Sequence, residues 1–294
     1  MRATLRRLMP ARVKAAVRPY LGPFLEHERV AARRKFALSY YEPALAMIAD
    51  WAPRRTEDSN FYYDLTELNR AHLASLMAAI TGTAVEAIEA IFHELDTDER
   101  LRADLKAGLV AFDYPREISI AYGRRLGWYA LARILKPKVV IETGVDHGIG
   151  GCILCAALAR NAAEGRPGRY YGTELRRDAG QLVHGQYAKF GQVIYGDSIA
   201  TLDAFPETID LFINDSDHSP EYEYREYQTI SRKLAKGAVI LGDNSHSTDC
   251  LCKFARETGR SFIFFRESPK DHWYPGAGIG IAFDSGAMPP IPLS

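Results

Sequence analysis

The sequence predicts an α/β fold, in which a doubly wound, mostly parallel sheet with a closing antiparallel strand follows an α-helical N-terminal region. Beyond residue 116, short β-branched runs alternate with helical stretches, which is typical of a parallel sheet covered by helices on both faces. Between residues 36 and 109, apolar residues recur instead with the i, i+3, i+4 spacing of amphipathic helices.

Composition places the chain among ordinary globular proteins. Of its 294 residues, 47% are hydrophobic and 25% are charged, so a proper apolar core is expected. No run of about 18 apolar residues is present, and a membrane-spanning helix is therefore not expected. The four cysteines form two close pairs without histidines at zinc-finger spacing, which indicates packed, free thiols in a reducing, cytoplasmic compartment.

Basic residues are concentrated at the N-terminus. Lys+Arg and Asp+Glu both total 37, yet residues 1–35 hold ten basic and only two acidic side chains, so the remaining chain is acidic. This distribution excludes a general nucleic-acid-binding surface. Apolar residues are interleaved in the same arm, so it can lie on an anionic membrane, pack as a surface arm, or act as an organellar transit peptide.

Three regions are predicted along the chain: a basic arm at 1–35, a helical cap region at 36–115 and a Rossmann-like domain at 116–294. In the cap region, helices are predicted over 64–77 and 84–95. Such a cap often supplies substrate contacts or a dimer face, and a homo-oligomer is expected.

The third region is predicted to open with a helix over 118–135 and to continue with seven strands. A helix over 248–258 precedes the last two strands, which flank a loop with Pro and Gly and are expected to pair in antiparallel fashion. In chain order the strands begin near Val139, Tyr170, Gln192, Ile209, Gly237, Ser261 and Gly278.

The first strand leads directly into a glycine turn with Gly144, Gly148 and Gly150. Glycines let the backbone approach a ligand, and amides at the start of the next helix supply donors, so this turn is the expected nucleotide pocket. The spacing differs from the dinucleotide motif Gly-x-Gly-x-x-Gly, which disfavours an NAD-dependent dehydrogenase.

Each of the first five strands ends in acidic or amide side chains. Because the carboxyl ends of parallel strands meet at the edge where ligands bind, these side chains are expected to share one site. A helix cap explains one such residue, but it explains five successive strands poorly. The residues are Glu142, Glu174, Asp197, Ser198, Asp215, Ser216, Asp217, His218, Asp243 and Asn244.

Chemistry divides these residues between two ends of the site. Glu174 ends the second strand and is suited to hold the hydroxyls of a ribose, while Asp197 and Ser198 can hydrogen-bond an adenine edge. The ends of the next two strands supply groups suited to metal binding and to acid–base chemistry.

Asp215, Asp243 and Asn244 offer an all-oxygen ligand set, which suits a hard divalent cation such as Mg²⁺. His218 follows Asp215 by three positions, from which it can reach a substrate hydroxyl as a general base near neutral pH. A lone histidine is more often a surface or capping residue, but beside a plausible set of metal ligands the catalytic role is favoured.

Together these motifs resemble a known family. Residues 138–283 are similar to class I S-adenosylmethionine-dependent methyltransferases, and specifically to metal-dependent small-molecule O-methyltransferases such as those that modify macrolide sugars. The similarity rests on the segments 142–148, 171–174, 196–198, 215–218, 242–244 and 276–281, and no motif covers the N-terminal third.

The resemblance implies in-line transfer of the methyl group of S-adenosylmethionine to a hydroxyl of a sugar, glycolipid or natural product. It implies cofactor contacts from Glu142, Gly144, Val145, Gly148, Glu174, Asp197, Ser198 and Asp215. Asp215, Asp243 and Asn244 would hold Mg²⁺, and His218 and Asp215 would be the catalytic residues, with His218 as the base. A histidine where catechol-type relatives have a lysine favours an alcohol or sugar hydroxyl as the acceptor.

Two other interpretations are open at this point. Cephalosporin-hydroxylase-like proteins share this fold and its acidic strand ends, so an accessory role in hydroxylation is an enzymatic alternative. The second alternative is a non-catalytic nucleotide-binding protein that docks on a membrane through residues 1–35.

Overall fold

The computed structural model describes residues 26–54, 63–112 and 119–284, except for the side chain of Asn244. Contacts divide the chain into two compact units, Met1–Arg54 and Arg55–Ser294. Most of the predicted basic arm lies outside the described residues.

The described part of the first unit is helical. Residues 26–39 form a helix that is followed by α1 (Glu42–Trp51), and Pro43 lies in the first turn of α1, where its missing N–H leaves no bond unmade. None of the residues of α1 is buried. In the described part of the chain, no helix combines the length and the apolar character that crossing a bilayer requires.

The described part of the second unit opens with a helical layer. Its members are α2 (Glu67–Thr81), α3 (Val85–Asp96), α4 (Glu99–Ala111) and α5 (Arg125–Leu135). Thr66 accepts a hydrogen bond from the backbone N–H of Asn69, and Asp98 accepts one from that of Leu101, so side chains cap the starts of α2 and α4. Helices α2 and α3 both pack against α5.

Seven strands of the described chain form one sheet in the order β3-β2-β1-β4-β5-β7-β6. They are β1 (Val139–Thr143), β2 (Arg169–Glu174), β3 (Gly191–Tyr195), β4 (Ile209–Asn214), β5 (Leu234–Gly242), β6 (Ser261–Arg266) and β7 (Gly278–Phe283). Strand β7 runs antiparallel between β5 and β6, and the first five strands pair in parallel. The predicted fold class and the antiparallel closing pair are confirmed.

Helices cover both faces of the sheet. Between the strands lie α6 (Ile149–Ala163), α7 (Ser198–Ala204), α8 (Pro220–Ile230) and α9 (Cys250–Glu257). Because side chains alternate along a strand, Val140 of β1 joins the apolar core beneath α2–α6, while Val139 and Ile141 join the core beneath α7–α9. The cysteines are free thiols, and Cys152 and Cys155 are buried within α6.

The helices predicted over 64–77, 84–95 and 248–258 are confirmed as α2, α3 and α9, with small shifts at their ends. The helix predicted over 118–135 is too long, because α5 begins only at Arg125. Gly123 adopts a left-handed φ of 52°, which a continuing helix cannot contain. The residues before α5 thereby form a turn at the edge of the sheet.

The chain order reverses between β1 and β4, which lie side by side in the centre of the sheet. Thr143 at the end of β1 is in register with Asn214 of β4, and Asn214 is in register with Gly242 of β5. The residues that follow these strands therefore meet at one edge, at the position where open α/β sheets bind their ligands.

Candidate active site

A cavity of about 480 Å³ opens at the carboxyl ends of β1, β2, β3 and β4. Its wall contains the predicted residues Glu142, Gly144, Val145, Glu174, Asp197, Ser198, Asp215, Ser216, Asp217 and His218. Gly148 and Asp243 are not part of the wall. Arg125 and Tyr222 contribute to it although no motif pointed to them.

The glycine turn shapes the floor of this cavity. Gly144 has a φ of 80°, and a Cβ at this position would collide with the backbone carbonyl of Asp215. Gly148 has a φ of 98° and precedes the first turn of α6. Only glycine combines this left-handed backbone with so close an approach, so the turn lets the ends of β1 and β4 touch.

The carboxylate of Glu174 holds the glycine turn from the side of β2. Its Oε2 accepts hydrogen bonds from the backbone N–H groups of Val145 at 3.2 Å and Asp146 at 3.1 Å. Its Oε1 accepts a hydrogen bond from the backbone N–H of Arg176 at 2.9 Å. Glu174 therefore has a structural task that the sequence did not indicate. Its predicted contact with a ribose stays a prediction.

Glu142 is the most deeply buried acid of the cavity wall, with only 2% of its surface exposed. The hydroxyl of Tyr170 donates to its Oε2 at 2.6 Å. Burial raises the pKa of Glu142 to about 7, against the opposing effects of this hydrogen bond and of the Arg125 charge. Near neutral pH this carboxyl is therefore present in both protonation states.

The adenine end predicted from the sequence is a small hydrogen-bonded cluster. Asp197 accepts from the backbone N–H of Ala200 at 2.8 Å and so caps α7, and its other oxygen accepts from the hydroxyl of Tyr222 at 2.7 Å. The backbone hydrogen bond and then the one from Tyr222 lower the pKa of Asp197. The hydroxyls of Tyr222 and Ser198 are 2.9 Å apart.

Glu226, a buried acid on α8, forms hydrogen bonds with residues at the ends of three strands. It accepts hydrogen bonds from the hydroxyls of Thr143 at 3.1 Å and Ser216 at 2.8 Å, and closer ones from the Ser198 hydroxyl and the Asn214 amide. Burial raises the pKa of Glu226, although these hydrogen bonds oppose the rise. We refer to these five residues as the Glu226 cluster.

One signal in the sequence could have revealed Glu226. The residues of α8 that are buried, Glu223, Glu226, Tyr227 and Ile230, follow the helical spacing of an apolar face. An acid on such a face is excluded from water, so it needs polar partners from the strands that the helix covers.

Asp243 lies behind the cavity wall and is bound by an arginine. The Nε and Nη2 atoms of Arg124 donate to its two carboxylate oxygens, the latter at 2.8 Å. Nη1 of Arg124 lies 3.3 Å from both Glu267 and the Tyr63 hydroxyl, and the Arg124 backbone N–H donates to Glu267 at 2.8 Å. Arg124, Asp243, Glu267 and Tyr63 are buried, and we refer to them as the Arg124 cluster.

Asp215 and Asp243 follow neighbouring strands, and a hydrogen bond joins their carboxyl groups. Burial and then the charge of Asp243 raise the pKa of Asp215 well above its usual range. Burial alone would also raise the pKa of Asp243, but the charge and hydrogen bonds of Arg124 lower it. Of the two carboxyls, Asp215 is therefore the one that holds a proton more readily.

Of the donors predicted for Mg²⁺, Asp243 does not fit a cation in this arrangement. Both oxygens of Asp243 are engaged by Arg124, and the side chain of Asn244 lies outside the described residues. Within the described ranges, no group of three or more His, Cys, Asp or Glu side chains could hold a metal ion. The magnesium requirement is therefore not confirmed.

The remaining predicted catalytic residue, His218, is exposed in the loop between β4 and α8 and lines the cavity. Asp217 next to it accepts from the backbone N–H of Ser219 at 2.6 Å, which fixes the loop just before α8. His218 is thus accessible both to solvent and to a molecule in the cavity.

Arg125 is a buried cationic residue of the cavity wall that the motifs missed. Only 9% of its surface is exposed, and its guanidinium lies 5.6 Å from the ring centroid of Trp128. Its Nε atom is buried and has no hydrogen-bond partner among the described residues. A buried guanidinium with a spare donor is well suited to an anionic group of a ligand.

Residues 141–245 match a family model described as a methyltransferase domain, Methyltransf_24. A comparison with curated protein sequences finds no significant match. The family match and the sheet order confirm the resemblance to class I methyltransferases that the motifs indicated. Across 141–245, the chain contains a methyltransferase domain.

Several solved structures are similar to the chain. Cofactor-bound Rv0187 from MTB is 21% identical, with 62% of this chain and 89% of that chain covered and a TM-score of 0.47. An O-methyltransferase from Bacillus cereus in complex with SAH is 16% identical, with 64% and 92% covered and a TM-score of 0.45. TomG from Streptomyces achromogenes, an O-methyltransferase involved in tomaymycin synthesis, is 18% identical, with 64% and 91% covered and a TM-score of 0.44.

Proposed function

We propose that this protein is an S-adenosylmethionine-dependent O-methyltransferase that acts on a hydroxyl of a sugar, glycolipid or natural product. The observation that carries the proposal is the cavity at the carboxyl ends of β1–β4, which lies within the methyltransferase domain and is lined by groups suited to each part of the cofactor. Its volume of about 480 Å³ is in the range of small-molecule sites.

The wall supports one orientation of the cofactor. The adenosine part lies toward Glu174, Asp197 and Tyr222, whose oxygens accept or donate hydrogen bonds near the ends of β2 and β3. The methionine part lies toward Arg125 and Glu142. There the guanidinium of Arg125 binds the carboxylate of the cofactor, and the buried carboxyl of Glu142 binds its ammonium group. The glycine turn separates these two ends and approaches the cofactor between them.

When bound, S-adenosylmethionine supplies an electrophilic methyl group. The task of the protein is then to hold the acceptor hydroxyl in line with the methyl–sulfur bond and to take up the hydroxyl proton. In this proposal His218 accepts that proton at the mouth of the cavity. Asp215 lines the same cavity next to Gly144 of the glycine turn, and in this proposal its carboxyl orients the acceptor.

Calorimetry with S-adenosylmethionine and with NAD⁺ tests the cofactor. We expect saturable binding of the first and none of the second. Absence of S-adenosylmethionine binding to the full chain would remove the leading proposal and favour the non-catalytic or hydroxylase-like alternatives.

Transfer of a labelled methyl group to a panel of hydroxyl-bearing acceptors tests the reaction itself, with mass spectrometry as the readout. His218→Ala should lower turnover by about 10²–10⁴-fold while the affinity for S-adenosylmethionine stays unchanged. His93→Ala, at an exposed position on α3, is the matched control. Full turnover by His218→Ala would exclude the histidine as base.

Peripheral membrane contact through the N-terminal region is also part of this proposal. Residues 1–35 are strongly basic, and large apolar side chains in the first unit, including Phe36, Tyr40 and Leu45, are exposed. Co-sedimentation with anionic and with neutral liposomes tests it. Equal recovery with both would show that the basic residues do not direct the chain to anionic lipid.

A further inference from the structure

We propose that the guanidinium of Arg124 is the built-in cation of this site, which neutralises Asp243 so that methyl transfer proceeds without a divalent metal. The inference rests on the proposed function for the reaction, but it concerns contacts that can be tested without methyl transfer. It follows from how completely Arg124 is engaged.

The donors of Arg124 are nearly all used within the cluster. A guanidinium has five N–H donors in a planar fork. Two of them bind both oxygens of Asp243, and Nη1 lies within reach of Glu267 and Tyr63. This bidentate geometry places a full positive charge where a cation bound to Asp243 would have to lie.

Arg124 is also fixed in place and is not a side chain that readily swings away. Its backbone N–H is bound by Glu267, which is buried at the end of β6. The preceding Gly123 has a φ of 52°, and a Cβ there would lie 3.1 Å from Tyr63 and 3.2 Å from Glu267. Three separate segments of the chain therefore hold the guanidinium against Asp243.

A second positive charge lies close by. Arg125 lines the cavity, and its charge acts on Asp215, Asp243 and Glu142. A divalent cation at the end of β5 would approach two guanidinium groups in a poorly hydrated region, where like charges repel strongly. The carboxylates thus have cationic partners from the protein itself.

This arrangement has a consequence for the acceptor. A metal-assisted reaction lowers the pKa of the hydroxyl by direct coordination and favours acceptors that offer two neighbouring oxygens. With Arg124 in place of the metal, the hydroxyl proton passes to a side-chain base, and a single isolated hydroxyl is sufficient. The acceptor class is therefore an alcohol that needs no vicinal diol.

Binding of Mn²⁺, followed by electron paramagnetic resonance on the full chain, tests the inference. In the wild-type protein we expect no saturable Mn²⁺ binding that depends on Asp243. Asp243→Asn should therefore leave any residual Mn²⁺ binding unchanged. The double variant Arg124→Met/Glu267→Gln, which deletes one positive and one negative charge, should gain saturable Mn²⁺ binding, with a dissociation constant at least about tenfold below the weakest binding that the wild-type titration can detect. Adding Asp243→Asn to this double variant should abolish the gain.

Arg70→Met is the matched control, because it breaks a partly buried ion pair with Asp96 away from the cavity and should leave Mn²⁺ binding unchanged. Saturable binding by the wild type that is lost in Asp243→Asn would overturn the inference. So would a folded double variant that gains no affinity. The wild-type titration decides the question even if the double variant does not fold.

Three further measurements separate this inference from the proposed function. Turnover of the wild-type enzyme should be unchanged by EDTA, whereas a loss that Mg²⁺ restores would overturn the metal-free reaction. Calorimetry with S-adenosylmethionine tests the proposed function alone. If the protein binds neither Mn²⁺ nor S-adenosylmethionine, the proposed function is refuted, but the role of Arg124 as the cation of the site is not. The acceptor panel should include single alcohols and vicinal diols at equal concentration, and transfer only to diols would contradict the acceptor class.

Discussion

The Glu226 cluster and the Arg124 cluster both bury acids at the same edge of the sheet, but they satisfy those acids differently. Glu226 accepts hydrogen bonds from three hydroxyls and one amide, all of them neutral. Asp243 and Glu267 are paired with a guanidinium. Neutral donors therefore support the end of the cavity near Ser198 and Tyr222, and a fixed charge supports the end where β4 and β5 meet.

This difference separates two kinds of structural support. A carboxyl among neutral donors can take up a proton without leaving a partner charge unpaired. A carboxylate paired with a buried guanidinium cannot, because each ion would cost several kcal/mol without the other. The Arg124 cluster is accordingly expected to lose more stability when one partner is removed, and the following predictions test that comparison.

The largest expected effect is on stability in Arg124→Met. Removing the guanidinium leaves Asp243 and Glu267 buried without their cation, which should lower the free energy of unfolding by about 3–5 kcal/mol. Chemical denaturation followed by circular dichroism measures it. Arg70→Met, which removes a partly buried ion pair, should cost much less, and equal losses in the two variants would contradict a special role for Arg124.

The pH dependence of stability should report on Glu142, which belongs to neither cluster. Its pKa rises from 4.5 in the unfolded chain to about 7 in the fold, so the native state binds the extra proton. Stability is therefore full below pH 4.5 and decreases as pH rises toward 7, by at most about 3 kcal/mol.

Glu142→Gln should remove most of this decrease, since a glutamine can still accept the hydrogen bond of Tyr170 and does not titrate. Thermal unfolding of both proteins between pH 5 and pH 8, without cofactor, provides the measurement. Parallel curves for the two proteins would show that Glu142 is not the titrating group.

An intermediate effect is expected in the neutral cluster. Glu226→Gln replaces one accepting oxygen by an N–H group that faces existing donors, and it should cost about 1–3 kcal/mol. Glu223→Gln is the matched control one turn earlier on α8, because Glu223 accepts only from the hydroxyls of Tyr227 and Thr248, which can rotate. A larger loss in Glu223→Gln would reverse this ranking.

The smallest expected effect is on cofactor affinity in Arg125→Met. Loss of a charge-assisted contact to the methionine carboxylate should raise the dissociation constant of S-adenosylmethionine about tenfold, with little change in stability. Calorimetry with S-adenosylmethionine and with adenosine separates the two ends of the ligand. Equal weakening of both ligands would show that Arg125 acts on the whole cavity instead of on the carboxylate.

Much of the fold was predictable because it depends on local patterns. The β-branched runs, the glycine turn after β1 and the apolar spacing of α2 and α3 are each encoded within a few residues. The shared edge was also predictable, because the carboxyl ends of parallel strands must meet there. This rule alone predicts that Glu142, Glu174, Asp197 and Asp215 share one site, and all four line the same cavity.

The start of α5 was mispredicted for a different reason. The apolar pattern continues backward past Arg125, but Gly123 and the buried Glu267 impose a turn at that point. Glu267 is 143 residues from Arg124 in the chain, so no local sequence pattern predicts this contact. The same turn places both Arg124 and Arg125 at the site.

What the sequence determined by itself is the sheet, the glycine turn and the set of acids at its edge, since these follow from periodicity and strand direction. What only the tertiary structure decided is which partner each acid receives. Arg124 and Asp243 are 119 residues apart, and their pairing depends on how the turn before α5 meets the end of β5. A carboxylate is a metal ligand or half of an ion pair according to the charge placed beside it, and packing alone places that charge.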